Sequence, residues 1–341
     1  MLQRSNLVTD VTGISVGNAD DAHLASGVTV VRVEGPNVAA VTVRGGAPGG
    51  RDVGLLEPEM TVEGVNAVVL SGGSAFGLDA AGGVMSVLHE QGVGLRVGGA
   101  VVPIVSQAIV FDLLNGGDKA WAHRPPYWDL GRMAALAARA SAFSLGTVGG
   151  GYGATTANLK GGLGSASALA PDGTTVGAIV VVNAVGTATI GDTAQFWAAP
   201  VEQSGEFGGL GSPTRLPPEA LALRIKGGAP PSTTIGLVAT DATLTKAEAK
   251  RLALMADDGL GRSLRPSHAP MDGDTVFAVA TQRRSLGIGA RASALTMLGT
   301  LAADCLARAV ARAVFSATAL PIPGALPAWR DRFGRQQGGS P

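Results

Sequence analysis

The sequence predicts a layered α/β sandwich with helices outside mixed β-sheet. Three observations carry this. Short β-branched runs alternate with glycine turns through the first half, alanine-rich helical stretches follow several of them, and no regular βαβ spacing of a doubly wound sheet is present. Fifty-one glycines, against 4 tryptophans, 2 tyrosines and 8 phenylalanines, imply many tight turns and close backbone approaches.

The elements follow in chain order. Gly27–Val33 (GVTVVRV), Val38–Arg44 and Ala67–Leu70 read as strands. Ser71-Gly-Gly-Ser74 turns the chain into a small-residue helix from Ala75 to about Gln91, with Leu78 and Val84 on its buried side. Val101–Leu113 reads as strand, with Pro103 at an edge or bulge. Asp129 to Ala142, rich in Ala, Leu and Met, predicts a helix. Thr147–Ser167 is a long glycine-rich loop, and Thr175–Val185 (TVGAIVVVNAV) is the strongest buried-strand signal.

Residues 190–232, with six prolines and glycine runs, have the composition of a surface linker carrying a short helix at Pro218–Ile225. Beyond it, Thr233–Thr240 predicts a strand. Thr245 with Glu248 forms a capping-box signature for a helix to about Ala256. Thr275–Thr281 is another strand. Ala292–Ala317 is a long helix, with Met297, Leu301 and Leu306 on a sheet-facing side. The tail from Arg330 is polar and reads as loose.

Composition narrows the function. Apolar residues make up 46% and charged residues 15% of the 341, a globular composition. Lys+Arg and Asp+Glu balance at 26 each, so nothing favours nucleic acid. The single Cys305 excludes an intramolecular disulfide framework, suits a reducing compartment and reads as a packed helical residue. The N-terminus lacks a secretory apolar run, and the greasiest stretches, such as Val176–Val185, are too short to span a bilayer. The expectation is a cytoplasmic protein without membrane contact.

The common catalytic constellations are missing. His23, His89, His123 and His268 lack metal-ligand spacing, and His123 and His268, lying among prolines, read as ordinary surface residues. There is no GxSxG elbow and no Walker loop, and Gly149–Gly153 lacks the strand and acid of a dinucleotide site. What remains is a strand headed by hydroxyls, Ser232-Thr233-Thr234-Ile235, after a proline-glycine stretch. Locally, that could be no more than a linker running into a β-branched strand.

Seven segments extend the reading: Leu70–Leu78 (LSGGSAFGL), Ala108–Leu113 (AIVFDL), Gly161–Ser167 (GGLGSAS), Val180–Asn183 (VVVN), Ser232–Ile235 (STTI), Ala239–Ala242 (ATDA) and Met271–Thr275 (MDGDT). In order and spacing they resemble the β-aminopeptidase and L-aminopeptidase/D-ester hydrolase family, which includes the nylon-oligomer hydrolases. The likeness runs over nearly the whole chain. It implies an N-terminal-nucleophile-type hydrolase: one catalytic domain, 1–341, that cuts itself between Ser232 and Thr233 into chains 1–232 and 233–341.

By the same resemblance Thr233 is the nucleophile. After the cut its α-amine, with an ordinary pKa of about 7.7–8.0, serves as the base that a hydroxyl nucleophile needs. Asp272 and Asp274 fall on two family acids; two residues apart at a strand entry, they share a face. The local alternative is an Asx-type turn. Asn183 falls on a family asparagine that stabilises the oxyanion, the alternative being a strand-end hydrogen bond. Lys160 falls on a loop lysine of the nylon-hydrolase branch, able to steady an oxyanion or a carboxylate, the alternative being a solvated loop lysine.

Ser232 stands where that branch has Asn, and Phe111 where it has Tyr, so the resemblance points to the nucleophile more firmly than to the substrate. The expected substrate is a small peptide, amino-acid amide or amide oligomer. No metal or organic cofactor is implied, and a homo-oligomer, a tetramer of processed pairs, is expected. Two other readings stay open. One is acyl transfer of the N-acetylornithine:glutamate type through the same threonine, and the other is a non-catalytic relative that stays whole.

Overall fold

The computed structural model describes residues 4–216, 218–228, 231–286 and 291–334. The chain forms β1 (Ile14–Asp21), β2 (Ser26–Val33), β3 (Val38–Val43), β4 (Gly50–Arg51), β5 (Ala67–Ser71), α1 (Ser74–Gly77), α2 (Ala80–Glu90), β6 (Leu95–Val97), β7 (Ala100–Val102), β8 (Val105–Ile109) and α3 (Tyr127–Ala137). Then come β9 (Gly162–Leu169), β10 (Thr175–Asn183), β11 (Thr233–Ala242), α4 (Lys246–Ser263), β12 (Thr275–Arg284), α5 (Arg291–Ser316) and α6 (Trp329–Phe333).

Two five-stranded sheets result, ordered β1-β2-β5-β8-β4 and β3-β12-β11-β10-β9. Both are mixed: β5 runs parallel to β8 and β11 parallel to β12, with the other pairs antiparallel.

Side-chain alternation explains the layers. In β10, Ile179 and Val181 join Val31, Leu70, Ile235 and Phe277 in the core between the sheets. Val180 and Val182 point the other way and pack with Leu306 and Val310 of α5. A strand covered on both faces must read as a continuous apolar run, which is why β10 stood out in the sequence. Under α2 and α3, a third core holds Val28, Val69, Val84 and Leu130. The architecture is therefore helix, sheet, sheet, helix. Close layers require small residues: a Cβ on Gly164 of β9 would run into the backbone carbonyl of Ala309 in α5.

Several boundaries differ from expectation. β1 carried Gly, Asn and Asp among its apolar residues and did not read as a strand, yet it pairs with β2 along its full length. The helix after Ser74 is broken at Leu78–Asp79, and Pro103 separates β7 from β8. The 129–142 helix ends at Ala137, whereas α4 continues to Ser263. The expected glycine-rich loop contains β9, because its small residues fit under α5. Only Pro218–Leu221 of the linker helix forms, as a 3-10 turn.

The linker is not all surface. Phe196 and Phe207 are buried and meet edge to face at 5.4 Å, and Phe196 stacks on Trp329. That stack also ties down the start of the tail, where Trp329 and Phe333 are buried in α6; residues 335–341 lie outside the described residues. In α5, Leu306 is buried but Met297 is exposed. By length and composition α5 could cross a membrane, but most of its apolar stretch is buried, and it packs on β9 and β10 as a core helix.

Candidate active site

The fold brings one end of the second sheet to a point. Thr233, first residue of β11, lies opposite Asn183, last residue of β10, in antiparallel register. On the other flank, the turn before β12 bridges Ser232 to Asp272 in parallel fashion. Ser232, Thr233, Asn183, Asp272 and Asp274 are all buried. Burying this many polar groups costs stability unless each is paired, so their partners define the site.

The Ser232–Thr233 peptide is held from three sides. The Ser232 N–H donates to the Met271 carbonyl at 3.0 Å. The Ser232 carbonyl oxygen accepts the Gly273 N–H at 2.9 Å. It also accepts a hydrogen bond from the Thr233 hydroxyl. A hydroxyl thus rests against the carbonyl it would have to attack, with a backbone donor already on the oxygen that would gain charge.

Gly273 was not singled out in the sequence, although it sits inside the Met271–Thr275 motif. A Cβ there would come within 2.8 Å of both the Thr233 Oγ1 and the Ala47 carbonyl.

The two acids divide the work. Asp274 takes the Thr234 N–H at 2.7 Å through Oδ1, pinning the start of β11. Asp272 takes the Ala269 N–H at 3.0 Å and the Val185 N–H at 3.4 Å. Burial, reinforced by the nearby Asp274, pushes the Asp272 carboxyl up to about 6. The bond from Ala269 reaches back three residues and is not an Asx turn, which would take the N–H two residues further on.

Asn183 is fixed by more than a strand-end bond. Its Oδ1 accepts the Thr155 N–H at 3.0 Å and the Lys226 ammonium at 3.1 Å, and its Nδ2 donates to the Phe111 carbonyl at 2.9 Å. An amide nitrogen has two hydrogens, so one N–H beyond the Phe111 bond is available.

Lys160 is not a solvated loop lysine. Its ammonium is buried and donates to the carbonyls of Gly151, Ala154 and Gly161 at 2.8–3.0 Å, while burial pulls its pKa down to about 7. With all three donors used, it stiffens the loop beside Asn183.

Besides Gly273, sequence reasoning missed two residues here. Lys226, at the end of a proline-rich stretch, gave no signal, yet it reaches both oxygens of Asn183 and is likewise pulled down by burial, to about 7. His268 was expected at the surface. Instead its ring is largely covered, with Nδ1 2.9 Å from Asp274 and Nε2 3.4 Å from Asp257. The prolines beside it, read as surface markers, instead shape a turn that tucks the ring inward.

A cavity of about 520 Å³ opens beside these groups, lined by Phe111, Asp112, Lys160, Asn183, Lys226 and Pro231 among others. Phe111, where the resemblance would place a hydroxyl, is among the lining residues. Asp112 is fully committed, to Ser26 at 2.6 Å and Gly73 at 2.7 Å, and burial raises its pKa.

Two facing mixed sheets between helical layers, with a buried hydroxyl residue heading a central strand, define the N-terminal-nucleophile class of hydrolase fold. Comparison with solved structures agrees. A Burkholderia sp. β-aminopeptidase superposes with a TM-score of 0.71 at 21% identity, covering 99% of this chain and 96% of that one. An L-aminopeptidase D-Ala-esterase/amidase from Ochrobactrum anthropi, described as a variant of the Ntn hydrolase fold, gives 0.70 at 22% identity over 98% and 94%.

The family model "Peptidase family S58" matches residues 6–325. An uncharacterized aminopeptidase of Mycobacterium tuberculosis is 44% identical over 347 residues, covering 96% of this chain and 98% of its own. A 6-aminohexanoate-oligomer endohydrolase of Kocuria sp. is 29% identical over 91% and 86%. The chain belongs to peptidase family S58 and is a hydrolase of peptide or amide bonds.

Proposed function

We propose that this hydrolase is made as a single catalytic domain that cuts itself after Ser232 and then works through the exposed Thr233. The observation that carries the reading is the Thr233 hydroxyl donating to the Ser232 carbonyl oxygen, which also accepts the Gly273 N–H. In the first step Oγ1 attacks the Ser232 carbonyl carbon. The C–N bond breaks, the hydroxyl proton passes to the departing nitrogen, and an ester is left. Asp272, bridged through its backbone to Ser232 and raised by burial to about 6, is the acid assigned here as proton carrier. Water then hydrolyses the ester, giving chains 1–232 and 233–341.

In turnover the freed α-amine of Thr233 takes the hydroxyl proton as Oγ1 attacks a substrate amide. The leaving amine departs with a proton, and water releases the acyl group. The Gly273 N–H, already on the Ser232 carbonyl oxygen, supports its role as one oxyanion donor, and we assign the second to the other N–H of Asn183. Aminopeptidase action on small peptides or amino-acid amides is the favoured activity, given the name of the 44%-identical relative. The more distant endohydrolase makes amide oligomers the second substrate class. We further propose a cytoplasmic homo-oligomer, which sedimentation of the purified protein would size.

Intact mass and a denaturing gel test the central claim. The expected result is two pieces, the smaller beginning Thr-Thr-Ile-Gly. Thr233→Ala should remain one 33.9 kDa chain, folded and inactive on amides. Turnover retained in that variant would move the nucleophile elsewhere.

A further inference from the structure

Behind Asp274 runs a line of charges that the proposed reaction does not use. Asp274 Oδ1 holds the Thr234 N–H, and its other oxygen, Oδ2, faces His268 twice: the main-chain N–H at 3.0 Å and ring Nδ1 at 2.9 Å. The opposite ring nitrogen, Nε2, lies 3.4 Å from Asp257 Oδ2, and the same oxygen is 3.1 Å from Nε of Arg44.

Four elements therefore meet: the turn before β12, the loop after α4, α4 itself through the buried Asp257, and the end of β3 through the half-exposed Arg44. The contacts at Nδ1 and at Asp257 are ion-pair distances without hydrogen-bond geometry, and an imidazole pairs with two carboxylates in this way as a cation, with both nitrogens protonated. His268 also holds a backbone φ of +56°, in the left-handed region that is uncommon outside glycine, although histidine enters it more often than most residues. Such strain is kept where surrounding contacts impose it.

We propose that His268 is a positioning residue: by holding Oδ2 of Asp274 it keeps Oδ1 on the Thr234 N–H, and with it the Thr233 hydroxyl on the Ser232 carbonyl. The inference rests on Thr233 being the nucleophile. His268, Asp257 and Asp274 all belong to the segment 233–341, so the ring and its two carboxylates stay on one chain after the cut, while Arg44 belongs to the other. The charged groups facing the ring are Asp274, Asp257 and Arg44. Although burial opposes its charge, the two carboxylates hold the imidazolium above its ordinary pKa. Cutting should therefore weaken as the ring loses its proton on the alkaline side.

Two substitutions separate positioning from mere support. His268→Ala removes the ring. His268→Asn keeps an amide N–H near the place of Nδ1 and tolerates the left-handed backbone, but cannot reach Asp257 or titrate. The full chain would be made by cell-free translation and its cutting followed on denaturing gels across pH. Melting of each variant would be measured in a Thr233→Ala background, where no cutting intervenes.

The Ala variant should cut about tenfold more slowly, in line with the cost of a displaced group. The Asn variant should stay near the wild-type rate at neutral pH and lose the alkaline fall. Equal slowing in both variants, or wild-type rate and profile in both, would overturn the proposal. If the Ala variant does not fold, the Asn variant decides alone: a slow rate or a retained alkaline fall overturns it. A wild-type chain that never cuts sinks the Thr233 reading itself, and this inference with it.

Discussion

Each sheet buries a polar cluster at one end, and the two are built differently. In the first sheet Gln107 of β8 donates to Ser71 Oγ at 2.7 Å and to the Gly77 carbonyl at 2.6 Å, and accepts the Ala81 N–H at 3.1 Å. Every group is neutral, and the bonds lock α1 and α2 onto β5 and β8. In the second sheet Asp272 and Asp274 lie together, with Lys226 near the first and His268 on the second, Asp257 follows, and a hydroxyl donates to a backbone carbonyl. Native structures satisfy their buried polar groups, and conflicts with that rule gather where chemistry is done. One cluster builds the fold. The other spends stability on reactivity.

The sharpest way to break this contrast is at Gly273. Gly273→Ala keeps the N–H that reaches the Ser232 carbonyl, but its Cβ would press on Thr233 Oγ1 and the Ala47 carbonyl. Displacement of the hydroxyl by a fraction of an ångström should slow cutting by about a hundredfold. Quantified band intensities over time would show it, and cutting at the wild-type rate would mean that the geometry around the carbonyl does not govern the reaction.

The matching change in the first sheet should do the opposite. Gln107→Leu leaves the Ala81 N–H buried without its acceptor, and the Gly77 carbonyl with the Ser71 hydroxyl as its remaining donor. That should cost roughly 1–3 kcal/mol, the range for one orphaned group. Thermal melting in the Thr233→Ala background would record a lower midpoint, while cutting below that midpoint proceeds as in the parent. A stability loss accompanied by equal loss of cutting would erase the distinction between the two clusters.

How much of this was legible in the sequence follows the same division. β10, β11 and β12 were readable because burial on both faces forces continuous β-branched runs, and Thr245 with Glu248 announced α4 by a local bond that the structure contains. β9 was hidden because its glycines and serines answer to α5, 140 residues further on. At the site, Thr233, Asn183, Asp272, Asp274 and Lys160 were reached by resemblance, since nothing local marks a strand-opening threonine. Lys226 and His268 carry no pattern at all. Their importance comes from long-range packing that folds a proline-rich segment onto the sheet end.

The smallest predicted effect concerns Asp272 itself. Its carboxyl, lifted to about 6 by burial and by Asp274, should gain its proton as pH falls through that value. If it carries a proton in self-cleavage, the rate should decline about tenfold for each pH unit below 6, as expected for loss of one ionised base. Stability should move the other way. A carboxyl whose folded pKa lies above its unfolded one binds more protons when folded, so acidification from about 6 towards its ordinary value near 4 favours the fold through this group. The pair of measurements is diagnostic: cutting followed against pH in the parent, and melting of Thr233→Ala against melting of Thr233→Ala with Asp272→Asn. A rate that stays level between neutrality and pH about 5 would remove Asp272 from the proton path. A melting difference between the two variants that does not change over that range would mean that burial does not raise the Asp272 carboxyl, removing one contrast between this end of the molecule and the cluster around Gln107.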